Sequence, residues 1–275
     1  MSNLAVTIAG LTVSVDLPSD AWLEPLQPRL RKFIAAPGAS ADLTVSLGLD
    51  PNVAAAPGGE PRVEAHPDGL HLRHDNFDAW LPPSGPGRLT IFQAETEPVD
   101  LTYTMVLDSF LRLAMVQLLE VHGGLMLHAA GIATGPDAGY VFFGPSGSGK
   151  TTVCRLSHPR YRILCDEIVA VRPGPDGERL YGTPFNGAWG DSLAEDVPLR
   201  ELFYLRQAPA NRRVPLDPLA AARAILESAV FYQRDPDLVG RFLDVALGLI
   251  HRVPVTQLEF IAKESLWETV LAPTR

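Results

Sequence analysis

The segment that most constrains the fold is residues 144–152, which have the sequence Gly-Pro-Ser-Gly-Ser-Gly-Lys-Thr-Thr. It follows a short apolar run at 140–143, which predicts a buried strand, and it precedes residues 153–156, which can open a helix. A Gly-x4-Gly-Lys-Ser/Thr pattern between a strand and a helix is typical of a phosphate-binding loop. The sequence therefore predicts a nucleotide site here, the alternative being a Gly/Ser loop that only joins two elements.

Each residue type in this loop suits phosphate chemistry. Glycines let backbone N–H groups turn inward around a phosphate, and the following helix adds unpaired N–H groups and a positive dipole end. We expect Lys150 to reach the β- and γ-phosphates of ATP or GTP and the Thr151 hydroxyl to face Mg²⁺. The predicted cofactor-binding residues are Gly144, Ser146, Gly147, Ser148, Gly149, Lys150, Thr151 and Thr152.

Composition excludes several classes of partner. The formal charge of −9 argues against nucleic acid, which usually requires a basic face. No apolar run has the length of a membrane span, and the first residues lack the features of a secretion signal. Two cysteines, Cys154 and Cys165, are too few for a disulfide framework or a zinc cluster, and we expect them to be small buried residues. We therefore expect a cytoplasmic protein without a membrane or nucleic-acid partner.

The chain changes character near residue 100. Residues 1–100 contain short alternating segments separated by Pro and Gly, which predict a small, mostly antiparallel β-rich region. An amphipathic helix is predicted at 103–121, with Gly123 and Gly124 ending it. Strands interleaved with helices then predict an α/β domain over 101–275.

In the N-terminal region, His71 and His74, with Asp75 beside them, raise the question of a metal site. Residues three apart on a strand point to opposite faces, and the spacing fits no familiar zinc motif. We therefore interpret these histidines as surface residues.

An acidic pair, Asp166 and Glu167, ends an apolar strand shortly after the loop. Phosphoryl transfer needs a metal clamp and a group that takes the proton of the attacking hydroxyl, and two adjacent carboxylates can divide those tasks. An exposed acidic pair at a strand end is the alternative. His128 interrupts a second apolar strand, either as a hydrogen-bonded core residue or close to the phosphates.

Together these residues resemble the HPr serine kinase/phosphorylase family, which shares a catalytic fold with phosphoenolpyruvate carboxykinases. The resemblance covers about residues 124–260. It rests on His128, the loop, the Asp166-Glu167 strand end, a segment at 183–187 that resembles the family's Gly-Thr-Pro-Phe sequence, and the Arg-Val-Pro-Val strand at 252–255. Relatives of this kind include kinases of free serine and kinases of ribosomally made peptides such as lasso-peptide precursors.

The resemblance implies a fold and a set of roles. The expected fold is an α/β HPr kinase C-terminal-domain/PEP carboxykinase-like P-loop core with the small β-rich region before it. The expected activity is ATP- and Mg²⁺-dependent phosphorylation of a hydroxyl, best a serine, on a peptide, protein or small molecule. Asp166, His128 and Lys150 would be catalytic, and Thr151, Asp166 and Glu167 would hold the metal. A homo-oligomer is compatible with this scheme, and a nucleotide-binding regulatory or scaffold protein without phosphotransfer is the alternative.

Overall fold

The computed structural model describes residues 2–52, 62–82, 85–92, 101–231, 236–263 and 265–272. These residues fall into two compact units. The first runs to Leu118 and takes in Phe231, and the second comprises Leu119–Val230 and the described residues from Pro236 onward. The division falls within one long helix, whereas the boundary expected from sequence, at residue 100, lies before that helix.

The first unit contains a seven-stranded sheet in the order β1-β2-β3-β7-β6-β5-β4. Two of its pairings, β2–β3 and β3–β7, are parallel, and the others are antiparallel. The expected mostly antiparallel arrangement is therefore found, with these two parallel pairs as the exceptions. The strands are β1 (Ser2–Ile8), β2 (Leu11–Leu17), β3 (Leu43–Leu49), β4 (Arg62–His66), β5 (Gly69–His74), β6 (Phe77–Leu81) and β7 (Gly87–Ile91).

Local sequence explains the hairpins of this sheet. Ala9 and Gly10 join β1 to β2 with φ values of 52° and 71°, as a two-residue hairpin turn requires. In β6 the buried residues alternate with half-buried ones, so one face of the strand forms core and the other faces outward. A short helix, α1 (Gln27–Leu30), lies between 3₁₀ turns in the β2–β3 connection.

The predicted long helix is present as α2 (Leu101–Val121). It ends where the sequence indicated: Gly123 has a φ of 69°, and the Gly124 N–H donates to the Leu119 carbonyl at 2.7 Å. A glycine in the left-handed conformation that closes a helix through such a bond is a common C-terminal cap.

The second unit contains an eight-stranded sheet with helices α3 to α6. Its elements are β8 (Leu125–Gly135), β9 (Ala138–Phe143), α3 (Lys150–Ser157), β10 (Arg162–Cys165), β11 (Ile168–Gly174), β12 (Gly177–Tyr181), β13 (Asp196–Gln207), β14 (Arg212–Pro215), α4 (Pro218–Ser228), α5 (Pro236–Arg252), β15 (Val255–Phe260) and α6 (Leu266–Val270). The strand before the loop and the helix after it were predicted, whereas β12, β14 and α6 were not.

Five of these strands close on themselves as a barrel. β8 pairs with β9, β9 with β13, β13 with β12, β12 with β11, and β11 with β8. Two glycines make room for the closure. A Cβ atom on Gly131 would lie 2.9 Å from Val169 Cγ1, and one on Gly139 would lie 2.5 Å from Val197 Cγ2. Larger residues at these positions would therefore collide with the facing strands.

The expected α/β HPr kinase/PEP carboxykinase-like core is therefore wrong as a fold class. The protein is β-rich, with 41% strand against 30% helix, two sheets and a closed five-stranded barrel. The error has a physical reason: strand and helix runs that alternate along the chain suggested crossover units, but most neighbouring strands here pair antiparallel. Only β9–β13 and β13–β15 are parallel in the second unit.

Across the described residues, no helix combines the length and apolar character that crossing a membrane would require. The cytoplasmic location stays a prediction. The expectation for the cysteines is confirmed, since Cys154 and Cys165 are both buried and free. Burial raises the pKa of the Cys154 thiol to about 12, which keeps it protonated and unreactive at neutral pH.

Candidate functional site

The glycine-rich loop lies between β9 and α3, as the sequence predicted. β9 ends at Phe143 and α3 begins at Lys150. Gly144, Gly147 and Gly149 have φ values of 147°, 78° and 110°. This is the region of backbone conformation that residues with a side chain rarely adopt, so the loop path depends on its glycines.

Two polar side chains are hydrogen-bonded to carbonyls of this loop. Lys150 Nζ donates to the Gly144 carbonyl at 2.9 Å, and it lies 3.4 Å from the carbonyl of Pro145. Gln207, at the end of β13, donates from Nε2 to the Gly147 carbonyl at 2.8 Å. The lysine thus lies over its own loop.

One polar atom inside the loop is without a partner. The Ser148 hydroxyl is buried, and it has no hydrogen-bond partner within the part of the chain that the structure describes. A buried polar group in this condition costs free energy unless a ligand or water satisfies it. The Ser148 hydroxyl is therefore a hydrogen-bond donor inside the loop that a phosphate oxygen could accept from.

The base of the loop is held by apolar packing. A Cβ atom on Gly149 would lie 2.5 Å from Cζ of Phe260, so the aromatic ring on β15 packs directly against this glycine. Phe260 belongs to a buried cluster with Phe142, Phe203 and Trp267. The loop backbone is thereby anchored to the core of the second unit.

Asp166 has a well-defined role in the geometry. It is buried, and its two carboxylate oxygens accept hydrogen bonds from the backbone N–H groups of Gly187 and Trp189, each at 2.8 Å. Bonds from N–H groups to a buried carboxylate are charge-assisted and strong. The expected catalytic residue Asp166 is thus engaged in holding the segment at 187–189.

Glu167 lies in a different setting from its neighbour. Its side chain is 45% exposed, and Oε1 lies 3.6 Å from Nδ1 of His128, whose side chain is 48% exposed. The backbone is also hydrogen-bonded at this point, since Ala129, the residue after His128, donates its N–H to the Glu167 carbonyl. His128 therefore faces outward beside a carboxylate, which excludes the alternative of a buried core histidine.

The charge of Glu167 also reaches the loop lysine. Burial lowers the pKa of Lys150 from its ordinary value, and the Glu167 carboxylate opposes that shift. The ammonium group is thus partly desolvated, which strengthens its attraction for any anion in the loop. The structure brings Lys150, Glu167 and His128 into one neighbourhood.

The segment at 183–189 packs closely against the acidic pair. A Cβ atom on Gly187 would lie 3.0 Å from Glu167 Oε2 and 3.2 Å from Asp166 Oδ2. Thr183 donates from Oγ1 to the Ile168 carbonyl at 2.5 Å. A side chain at 187 would therefore crowd both carboxylates, which would have to shift by a few tenths of an ångström.

The side chains of this segment differ in exposure. Phe185 is completely buried, whereas Asn186 and Trp189 are half-buried. The Trp189 ring contacts that of His158, which follows α3, at 5.3 Å between centroids. Asn186 and Trp189 therefore remain available to a ligand, while Phe185 serves the core.

The other expected site residues occupy the loop and the first turn of α3. Ser146 and Gly147 are exposed at the loop tip, and Thr151 and Thr152 are half-buried. Of the three expected metal ligands, Thr151 and Glu167 keep accessible side chains, whereas the Asp166 oxygens point to the backbone of 187 and 189.

Sequence reasoning missed Gln207 and Phe260 as parts of the site. The signal for Gln207 was weak but present, because a polar residue ending an apolar strand parallel to the loop strand must lie beside the loop. Phe260 contacts the site through the fold alone, so no local pattern marks it.

These features define a β-rich protein whose barrel strand β9 leads through a glycine-rich, phosphate-loop-type segment into a helix. Residues 94–271 match the family model described as ScmC, SynChlorMet cassette protein ScmC. The match spans well over half of the chain, and the protein belongs to this family. No curated protein matches the chain.

Proposed function

We propose that this protein is an ATP- and Mg²⁺-dependent kinase that phosphorylates a hydroxyl group, with a serine of a peptide as the preferred acceptor. The observation that carries the proposal is the loop between β9 and α3, with three glycines at positive φ and Lys150 lying over it. The similarity of the loop, His128 and the acidic pair to HPr-kinase-like proteins supports the reaction type, although not their fold.

The fit of the loop to a nucleotide rests on three features. The buried Ser148 hydroxyl lacks a partner among the described residues, Lys150 is partly desolvated, and the exposed tip at Gly147 leaves open space where a Cβ would otherwise stand. In this scheme the loop N–H groups and Lys150 bind the phosphates, and Thr151 and Glu167 hold Mg²⁺. Bound ATP supplies the phosphoryl group, and Mg²⁺ neutralises part of its charge.

The proton of the acceptor hydroxyl needs a base near the loop. Glu167 and His128 are exposed and lie 3.6 Å apart, so either side chain could take the proton beside the other. Asp166 is less suited to this role than expected, because both of its oxygens already accept backbone hydrogen bonds. We assign it the positioning of the segment at 187–189.

The acceptor would lie along that segment. Asn186 and Trp189 flank Gly187, which packs against both carboxylates. A peptide placed against these side chains would present its hydroxyl close to Glu167. The description of the family as a cassette protein suggests looking for the acceptor among the products of neighbouring genes.

The decisive experiment compares two cation deletions on one helix. Lys150→Ala removes the ammonium group over the loop, and Arg155→Ala removes an exposed cation one turn further along α3. A charge-assisted bond contributes about 1.5–3 kcal/mol, so Lys150→Ala should weaken ATP binding by about 10- to 150-fold. Arg155→Ala should bind ATP like the parent chain. Equal ATP affinity in all three proteins would remove the basis of the proposal.

A second candidate function is nucleotide binding without transfer. It is favoured by the engagement of both Asp166 oxygens with backbone N–H groups, because this occupies the carboxylate that the resemblance would make the catalytic base. Incubation with labelled ATP and candidate acceptors separates the two candidates. Binding with no labelled product, in the parent and in Glu167→Gln alike, would favour the regulatory function.

A further inference from the structure

The outward face of the first sheet carries a cluster of metal-ligating side chains. One carboxylate oxygen of Glu64 and one ring nitrogen each of His66 and His71 all lie within 4.8 Å of one another. Among the residues that the structure describes, this is the one group of three such side chains with that spacing. We propose that Glu64, His66 and His71 form a binding site for a divalent transition metal of the zinc type.

Strand pairing explains how the three residues meet. Glu64 on β4 and His71 on β5 are direct cross-strand partners, and His66 lies two residues beyond Glu64 on the same face. The histidine ring centroids are 6.5 Å apart. The β4–β5 hairpin therefore brings three ligands that are separated in sequence close together. The sequence spacing of His71 and His74 does not indicate this cluster.

A fourth side chain orients the cluster. His71 Nε2 lies 2.7 Å from Asp78 Oδ2 on the neighbouring strand β6. A carboxylate that accepts from one ring nitrogen fixes the tautomer and leaves the lone pair on the other nitrogen, which is the usual support of a metal-ligating histidine. The side chains of His71 and Asp78 are largely shielded from water, with exposures of 19% and 28%.

The ligand set indicates the class of metal. Two imidazoles and one carboxylate suit Zn²⁺ and its transition-metal neighbours, whereas Ca²⁺ and Mg²⁺ prefer oxygen ligands alone. Three protein ligands leave one tetrahedral position for water or a small anion. Arg73 and Arg88 occupy the same outward face, as the register partners of Asp78 and Trp80, and their positive charge moderates the affinity.

Of the two histidines considered from sequence as metal ligands, His71 belongs to this cluster and His74 does not. His74 stacks on Phe77 at 5.0 Å and accepts a hydrogen bond from the Asn76 backbone. It lies outside the cluster, and it is therefore a matched control on the same strand as His71.

Trp80 supplies a reporter for the site. Its ring centroid lies 6.0 Å from that of His66 and 6.2 Å from that of His71. A bound paramagnetic ion at this distance should quench its fluorescence. The probe is Co²⁺, titrated into the untagged full-length protein and then displaced by Zn²⁺.

The expected result is saturable quenching that Zn²⁺ reverses. His66→Asn and His71→Asn should abolish it, Asp78→Asn should weaken Co²⁺ binding by about 10- to 100-fold, and His74→Asn should bind like the parent. Trp80→Phe should retain binding, measured by calorimetry, while losing the quenching. The proposal would be overturned if Co²⁺ binding survived both His66→Asn and His71→Asn, or if it disappeared in His128→Ala instead. It would also be overturned if the parent protein bound neither Co²⁺ nor Zn²⁺.

Discussion

Replacing Asp166 by asparagine tests whether this residue positions the segment at 187–189. The two side chains have nearly the same shape, but asparagine keeps only one acceptor oxygen and turns an NH₂ group toward a backbone N–H. One charge-assisted hydrogen bond, worth about 1.5–3 kcal/mol, is lost, and one buried N–H is left unsatisfied at a cost of about 1–3 kcal/mol. Asparagine is neutral, so the variant no longer has to bury a charge, and this offsets part of the lost stabilisation. We expect a net loss of about 2–3 kcal/mol.

Hydrogen exchange measures this loss where it occurs. The amides of Gly187 and Trp189 donate to the carboxylate, so their exchange in Asp166→Asn should accelerate by about 30- to 150-fold, which corresponds to that free energy. The matched control is Glu167→Gln. Its side chain is 45% exposed, so stability should change by less than about 0.5 kcal/mol.

The same pair of variants separates positioning from chemistry. Under the proposed function, Glu167→Gln should lose phosphoryl transfer while the 187–189 amides stay protected. If Asp166→Asn leaves those amides protected and nevertheless stops transfer, Asp166 acts on the reacting hydroxyl and the reasoning from its hydrogen bonds is refuted.

Three further substitutions test the packing. Gly149→Ala should destabilise the protein by about 2–4 kcal/mol in chemical denaturation, because its Cβ would lie 2.5 Å from Phe260 Cζ at a φ of 110°. Gly240→Ala, on the exposed side of α5 with no atom within 4 Å of the new Cβ, should stabilise it by about 0.5–1 kcal/mol, and a loss would contradict the helix. Asp217→Ala should cost about 1 kcal/mol, since the carboxylate accepts from the Ala220 N–H at the start of α4; an unchanged melting temperature would exclude that cap.

Local chemistry made several elements predictable. Gly123 marked the end of α2, and the glycine-rich motif located the loop between its strand and helix; Asp217 followed by Pro218 is a similar local signal, since an aspartate cap and a proline at the first position are typical of a helix start such as that of α4. Each of these signals acts within a few residues, through a cap, a backbone conformation or a hydrogen bond to a neighbour.

What could not be predicted depends on residues that meet only in the folded chain. The barrel closes because β11 and β12 bring Val169 and Leu180 against Gly131, and nothing near Gly131 in sequence indicates those partners. Likewise, Asp166 looked like a base from its place at a strand end. Its engagement by two N–H groups arises from the 187–189 backbone, 21 and 23 residues away.

The central position of β13 has a consequence for how the second unit folds. This strand pairs with β9, β12 and β15, and Glu201 within it bonds to Thr256 at a separation of 55 residues, while Gln207 reaches back 60 residues to Gly147. Closing such long loops must precede the stabilisation that the contacts give. During synthesis, the edge of β13 that pairs with β15 stays unpaired until residues 255–260 have been made, and the packing of Phe260 against Gly149 at the base of the loop cannot form before that point.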